Sequence, residues 1–179
     1  MRSETMQQIA LFGGSFNPPH VGHREVVEAL AKNTQFDEVW IVPTFSHPFD
    51  KNLIDFSHRV KMCELNFGSL LGKKIKICSI EGELKKFPSY MIDTVRALQK
   101  KYPTVHFTIV VGSDCKKELP QWKNFEELKK EADFFFIPRA GFEKSPFTDV
   151  SSTQIRNGAS LEHVRPEVKK YIEENKLYR

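Results

Sequence analysis

The sequence predicts an α/β protein in which a parallel sheet carries helices on both faces. Short apolar runs typical of buried strands alternate along the chain with longer segments whose apolar residues repeat at helical spacing. Strands separated by helices favour a parallel sheet, because each helix returns the chain to the edge where the next strand begins. The chain has 179 residues and contains no repeat or linker, so residues 1–179 are expected to form a single domain.

Strands and helices alternate through the first half of the chain. The apolar run IALF ends at Gly13-Gly14 and is expected to be buried, whereas the run EVWIV stops at Pro43. The run KIKICSI alternates between polar and apolar residues, as a strand with one buried face does. The predicted strands of this half are 9–12, 38–42 and 74–80, and the predicted helices are 20–32 and 57–67.

The second half continues the same alternation. The run VHFTIVVG is the strongest strand signal in the chain, and Ser89 is expected to cap a helix that continues through Lys101. Pro166 suits the first turn of a terminal helix, where its missing N–H is not needed. The predicted strands are 105–112 and 133–138, and the predicted helices are 89–101, 124–131, 152–157 and 166–175.

Composition limits the classes of partner. The formal net charge is +4, but lysine and arginine interleave with acidic residues, so neither a nucleic-acid partner nor a membrane partner is expected. No stretch approaches the ~20 apolar residues of a membrane span, and the N-terminus lacks the apolar region of a signal peptide. The three cysteines form no CxxC pair and favour reduced thiols. These features predict a cytoplasmic protein and leave a homo-oligomer open.

The loop after the first predicted strand carries the chemistry-bearing segment GGSFNPPHVGH. Gly13 and Gly14 allow the backbone to approach a phosphate, and the N-terminus of the next helix favours an anion at the same place. His20 and His23 stand three residues apart at that helix start, so both rings can face the same side. The segment is neither a Walker A loop nor GxGxxG, and no further ligand at convincing spacing indicates a metal site.

A second segment, VSSTQIR, places three hydroxyl side chains at a predicted helix start near the C-terminus. Hydroxyls there can cap the helix or bind phosphate oxygens, and an arginine one turn later can bind the same anion through two nitrogens. From the residues alone, a well-capped helix with a surface arginine explains the pattern equally well. The residues in question are Ser151, Ser152, Thr153 and Arg156.

Together these two segments resemble the HxGH and SSTxIR motifs of the nucleotidyltransferase superfamily, and GGSFNPPHVGH in particular is similar to bacterial nicotinate-nucleotide adenylyltransferases. SYMIDT at 89–94 resembles that family's SYTxDT helix start, and GSD at 112–114 resembles its GxD. The C-terminal sequence also resembles the family pattern, so the resemblance covers nearly the whole chain. It implies a single Rossmann-like domain with the nucleotidyltransferase fold.

The resemblance implies transfer of the adenylyl group of ATP to nicotinate mononucleotide, or alternatively to nicotinamide mononucleotide, forming deamido-NAD or NAD and releasing pyrophosphate. Mg²⁺ is expected to be bound through the substrate phosphates, without a protein metal site. The implied catalytic residues are His20, His23 and Arg156. The implied ATP-binding residues are Gly13, Gly14, Ser15, Phe16, Gly112, Asp114, Ser151, Ser152, Thr153 and Arg156. The implied mononucleotide-binding residues are Asn17, Lys51, Tyr90, Thr94 and Trp122.

Alternative functions remain open at this point. Another nucleotidyltransferase of the same fold, such as a phosphopantetheine adenylyltransferase or a cytidylyltransferase, would also carry HxGH. Trp122 and the SYMIDT helix argue against it, since an aromatic face suits the flat pyridine ring, although Trp122 could equally be a hydrophobic plug between elements.

Two positions depart from the family pattern. The usual PPHK loop is replaced here by HPFDK at 47–51, and Met91 stands where a threonine is common. Both departures bear on the choice of mononucleotide. The resemblance favours the nicotinate form.

Overall fold

The computed structural model describes residues 6–47, 52–159 and 161–179, and within them five strands form one parallel sheet. The strands lie in the order β3-β2-β1-β4-β5. Because β1 is central and the chain winds outward from it in both directions, the crevice between the carboxyl ends of β1 and β4 is a topological switch point. The strands are β1 (Gln7–Gly14), β2 (Glu38–Pro43), β3 (Ile75–Ile77), β4 (Val105–Gly112) and β5 (Asp133–Ile137).

Seven α-helices connect or follow these strands in the described part of the chain. Short 3₁₀ turns lie between several of them, including one at Ser113–Lys117 directly after β4 and one at Leu119–Gln121. The helices are α1 (Val21–Lys32), α2 (Phe56–Phe67), α3 (Ile80–Leu84), α4 (Met91–Lys101), α5 (Phe125–Glu131), α6 (Ser152–Arg156) and α7 (Pro166–Glu174).

Helices cover both faces of the sheet, as the sequence predicts. Alternate residues of β1 point to opposite faces: Ile9 and Leu11 join the cluster that α4 and α5 cover, whereas Ala10 and Phe12 join the cluster of α1 and α2. Side chains from β4 and β2 extend both clusters across the sheet. Burying one large aliphatic or aromatic side chain contributes about 1.5–3 kcal/mol, so the two clusters together fix the sheet between its helices.

A third apolar cluster attaches the C-terminal segment to the rest of the molecule. Met62 of α2 packs with Ile155 of α6 and Val168 of α7. Beyond α7, the hydroxyl of Tyr178 donates a hydrogen bond of 2.7 Å to Oδ1 of Asn17. The end of the chain is thereby fixed against the loop that follows β1.

One predicted strand is wrong in extent. Residues 74–80 were expected to form one strand, but β3 ends at Ile77, and Ile80 begins the short helix α3. Ile80 is apolar for another reason: it packs from a helical backbone into the cluster of α4 and α5, whereas Ile75 and Ile77 of β3 pack into the cluster of α1 and α2. A helix of five residues is too short for its own periodicity to show.

None of the helices in residues 6–47, 52–159 and 161–179 has the length and apolar character needed to cross a bilayer.

Candidate active site

A cleft of about 190 Å³ opens at the carboxyl ends of β1, β4 and β5, at the switch point of the sheet. Its walls come from the end of β1, the beginning of α1, the end of β4 with the turn after it, and the segment that follows β5. The lining residues include Gly13, Gly22, His23, Gly112, Asp114 and Arg139. Motif residues that are far apart in the sequence thus line one cleft.

The two histidines of the first loop lie against each other at the start of α1. His20 is the N-cap residue, and the two imidazole rings stack with their centroids 3.7 Å apart. The backbone N–H of His20 donates to Nδ1 of His23 over 3.2 Å. A Cβ at Gly22 would lie 3.2 Å from the carbonyl oxygen of Thr148 and 3.3 Å from the His20 ring, so glycine permits this close packing.

Both imidazoles are neutral in the free protein. Burial, helped by the charges of Arg139 and His163, lowers the pKa of His20 to about 3. Burial and the neighbouring His20 hold the pKa of His23 well below its usual range. Because Nδ1 of His23 accepts a hydrogen bond, its ring proton is on Nε2. His23, which lines the cleft, can therefore donate its neutral Nε2–H to a ligand there, whereas His20 is 2% exposed and lies behind it. A bound anion would raise both pKa values.

The late motif reaches the early loop directly. Ser151 caps α6, and its hydroxyl accepts a hydrogen bond from the backbone of Gln154. The hydroxyl of Ser152 donates to the carbonyl oxygen of Pro18 over 2.7 Å. Nη1 of Arg156 donates to the carbonyl oxygen of Asn17 over 2.7 Å. These two hydrogen bonds span 134 and 139 positions and join the Ser-Thr-Arg turn to the loop that leads into the His pair. The turn itself is not among the residues that line the cleft.

The remaining predicted ATP-binding residues lie at the same edge but differ in exposure. A side chain at Gly112 would collide with Oδ1 of Asp114, so the carboxylate folds back over the end of β4. Thr153 is exposed, whereas the Phe16 ring is buried and meets the His23 ring edge-on at 5.0 Å. Gly14 is the last residue of β1, and Ser15 lies between that strand and Phe16. Their contacts with ATP stay predictions.

Two of the predicted mononucleotide-binding residues are engaged inside the protein. Asn17 is fully buried, and its amide donates to the carbonyl oxygen of Asn52 while Tyr178 donates to its oxygen. Thr94 is also buried, and its hydroxyl donates to Oε1 of Glu81 over 2.8 Å. In this structure both side chains support neighbouring loops, and direct contact with a substrate stays a prediction.

The predicted aromatic residues of the mononucleotide site lie on the same side of the sheet. Tyr90 is the N-cap of α4, and both it and Trp122 are half-buried against the hydrophobic cluster of that face. Met91 lies close by, and its terminal methyl group would be 3.2 Å from a Cβ at Gly13. Lys51 lies outside the described residues.

Sequence reasoning missed Arg139. Its side chain lines the cleft, and its Nε lies 3.7 Å from Oδ2 of Asp114. Its backbone N–H donates to the hydroxyl of Ser113, which joins the ends of β4 and β5. The available signal was its position directly after a predicted strand, at the edge where ligands of parallel sheets bind.

Arg59 was also missed, because it reads in the sequence as one polar residue within an amphipathic helix. It is buried, and its guanidinium donates hydrogen bonds of 2.6–3.0 Å to four backbone carbonyl groups. These carbonyls belong to the loop after β1, the loop after β2 and the segment before α2. The acceptors are Ser15, Thr44, Phe45 and Ile54.

The loop after β2 is held from its other side by Glu81. This buried carboxylate accepts the backbone N–H of Phe45 over 2.8 Å and the hydroxyl of Thr94. The loop after β2 is therefore held between Arg59 of α2 and Glu81 of α3.

The parallel sheet, with the loop after β1 hydrogen-bonded to the turn at 151–156, is the arrangement of a nucleotidyltransferase. The sequence profile described as cytidylyltransferase-like matches residues 11–158. Because the match spans most of the chain, the chain belongs to the cytidylyltransferase-like family. Within that family it belongs to the nicotinate-nucleotide adenylyltransferases, as its similarity to the following relatives shows.

A probable nicotinate-nucleotide adenylyltransferase of Myxococcus xanthus is 37% identical over 155 residues, covering 84% of this chain and 80% of the relative. The nicotinate-nucleotide adenylyltransferase of Bacillus subtilis is 34% identical over 190 residues, covering 97% of this chain and 99% of the relative. The Plasmodium falciparum nicotinic acid mononucleotide adenylyltransferase, solved in complex with NaAD, superposes with a TM-score of 0.81. The two sequences are 22% identical, and the superposition covers 96% of this chain and 97% of the Plasmodium chain, so the two proteins share a fold.

Proposed function

We propose that this protein transfers the adenylyl group of ATP to nicotinate mononucleotide, releasing pyrophosphate and forming the deamido form of NAD. The observation that carries the proposal is the direct contact between the early and late loops, through Ser152 on Pro18 and Arg156 on Asn17. That contact joins the turn at 151–156 to the loop that leads into the His pair, which supports a shared site for a triphosphate.

The reaction is an in-line displacement at the α-phosphorus of ATP. An oxygen of the mononucleotide phosphate forms the new P–O bond, and the bond between the α-phosphorus and its bridging oxygen breaks, so pyrophosphate leaves with the electron pair. The attacking phosphate is already an anion near neutral pH, so no group has to remove a proton from it. The protein's task is to align the two phosphates and to stabilise the charge that develops on them.

In the proposed complex, His20 and His23 donate hydrogen bonds to the triphosphate, and the bound anion stabilises their protonated forms in turn. Arg156 and the turn at 151–153 hold the phosphates that leave, and Arg139, which lines the cleft, adds a positive charge. Tyr90 and Trp122 hold the pyridine ring.

Mg²⁺ would neutralise part of the phosphate charge when it is bound. Among the described residues, no three His, Cys, Asp or Glu side chains cluster as a metal site would need. The described residues line the cleft with one imidazole, that of His23, one arginine, Arg139, and one carboxylate, that of Asp114. This set fits an ion that enters on ATP and takes most of its ligands from phosphate oxygens and water. We place the reaction in the cytoplasm, in NAD biosynthesis.

Pyrophosphate release tests this proposal. The purified protein is incubated with ATP, Mg²⁺ and one acceptor at a time: nicotinate mononucleotide, nicotinamide mononucleotide or phosphopantetheine, with CTP replacing ATP in a parallel series. The expected result is release with ATP and nicotinate mononucleotide and formation of the matching dinucleotide. Inertness toward both pyridine mononucleotides, or turnover with CTP or phosphopantetheine in their place, would overturn the proposal.

A further inference from the structure

Lys123 places a positive charge beside the two aromatic side chains that we propose to hold the pyridine ring. Nicotinate and nicotinamide mononucleotides differ in one charge, because the ring carries a carboxylate in the first and a neutral carboxamide in the second. A cation within reach of that substituent would distinguish the two substrates by its charge alone. The inference drawn from Lys123 rests on the proposed function.

The turn that carries Lys123 fixes its position. It lies between the 3₁₀ turn at Leu119–Gln121 and α5, directly after Trp122. The carbonyl oxygen of Trp122 accepts the backbone N–H of Phe125 over 3.2 Å, which closes the turn. From it the exposed Lys123 side chain extends over Tyr90, and its Nζ lies 4.4 Å from the centroid of that ring. Lys123 therefore follows Trp122 in the chain and contacts the ring of Tyr90.

The charges around Tyr90 leave that of Lys123 available to a ligand. Asp93, in the first turn of α4, forms an ion pair of 2.8 Å with Lys86. Glu81 is buried and accepts hydrogen bonds from Phe45 and Thr94. In residues 6–47, 52–159 and 161–179, no carboxylate lies within 4.0 Å of Lys123 as an ion-pair partner.

We propose that Lys123 is a specificity-determining residue that favours the mononucleotide whose ring bears a carboxylate. A lysine over an aromatic face at an exposed site is held weakly, so its ammonium group can turn to a carboxylate on a ring bound beside Tyr90 and Trp122. The exchange costs little, because it replaces one weak contact with a charge pair and leaves no buried group unpaired.

The matched control for Lys123 lies on the neighbouring helix. The Nζ of Lys129 lies 5.1 Å from the centroid of the Phe125 ring, so it makes the same kind of contact away from Tyr90. It differs from Lys123 in also forming an ion pair of 2.8 Å with Glu126. The variants to compare are Lys123→Met, which keeps the length and removes the charge, Lys123→Arg, which keeps the charge, and Lys129→Met.

The readout is kcat/KM for nicotinate mononucleotide divided by kcat/KM for nicotinamide mononucleotide, at saturating ATP. We expect Lys123→Met to lower this ratio about two- to five-fold, the range for an exposed charge pair, mainly by raising KM for the nicotinate form. Lys123→Arg and Lys129→Met should keep the wild-type ratio. Added salt should lower the ratio of the wild type and leave that of Lys123→Met nearly unchanged.

Two failures can be told apart. If the wild type turns over a pyridine mononucleotide but Lys123→Met keeps its ratio, or Lys129→Met lowers it equally, the inference about Lys123 is wrong and the proposed function stands. If the wild type turns over neither mononucleotide, the proposed function fails, and the role of Lys123 fails with it.

Discussion

The two halves of the site differ in what holds their side chains. On the phosphate side, hydrogen bonds join groups far apart in the sequence, such as Arg156 to the carbonyl of Asn17, and His20 is almost fully buried. On the ring side, Tyr90 and Trp122 are half-exposed, and the exposed side chain of Lys123 lies over the Tyr90 ring. Alignment of reacting phosphates requires fixed groups, whereas selection among rings can rest on side chains that are exchanged at small structural cost.

The largest effect is expected on the phosphate side. Replacing His20 with asparagine removes an imidazole from the pair and should lower kcat by about 100-fold or more, the usual cost of losing one electrostatic donor in a transition state. Pyrophosphate release at saturating substrates measures the change, and thermal denaturation shows whether the variant is folded.

His106→Gln is the control for the loss of an imidazole. His106 is paired with Asp133 over 2.8 Å where β4 and β5 begin, at the end of the sheet opposite the cleft. This variant should keep wild-type turnover. If kcat of His20→Asn stays within two-fold of the wild-type value, the difference proposed between the phosphate side and the ring side is wrong.

The neutral His pair also predicts how stability depends on pH. The unfolded protein protonates a histidine near pH 6.5, whereas folding lowers the pKa of His20 to about 3, so the folded state binds fewer protons between these values. The free energy of unfolding should therefore be highest above pH 6.5 and should fall as the pH decreases toward 3.

Urea denaturation at pH 7.5, 6.0 and 5.0 measures this dependence. Below pH 6 one such histidine contributes up to about 1.4 kcal/mol per pH unit, so His20→Asn should show a shallower loss than wild type by up to that amount. Parallel curves for the two proteins would show that the pKa of His20 is not lowered by folding.

The smallest effect is expected on the ring side. Replacing Trp122 with leucine removes the aromatic face but keeps an apolar side chain, so KM for the mononucleotide should rise about two- to ten-fold while KM for ATP stays unchanged. Trp122→Phe should restore most of the affinity. Equal increases in both KM values would indicate that Trp122 supports the fold between elements and does not hold the ring.

Much of the fold could be predicted because it depends on local patterns. Apolar runs ending at Gly13-Gly14 and Pro43 marked buried strands, and helical spacing marked the helices that cover them. Alternation of strands with helices then indicated a parallel sheet, since antiparallel neighbours need no crossover. The edge at which the site forms followed from the same topology.

Other features could not be predicted because they depend on partners distant in the sequence. The contact of Tyr178 with Asn17 spans 161 positions. In the sequence Arg59 is one polar residue of a helix, and two of the carbonyl groups that it binds lie 15 and 44 positions away. Glu81 lies in a helix too short to leave a periodic signal.

Four hydrogen bonds of Arg59 end on main-chain oxygen atoms, so these four bonds do not depend on which side chains stand at their acceptor positions. Positions 15, 44 and 45 can therefore change identity during evolution while the backbone around the phosphates keeps its path. Because one arginine holds the backbone of these loops, related proteins could change the loop side chains, and with them the acceptor, while the backbone of the active site stays the same.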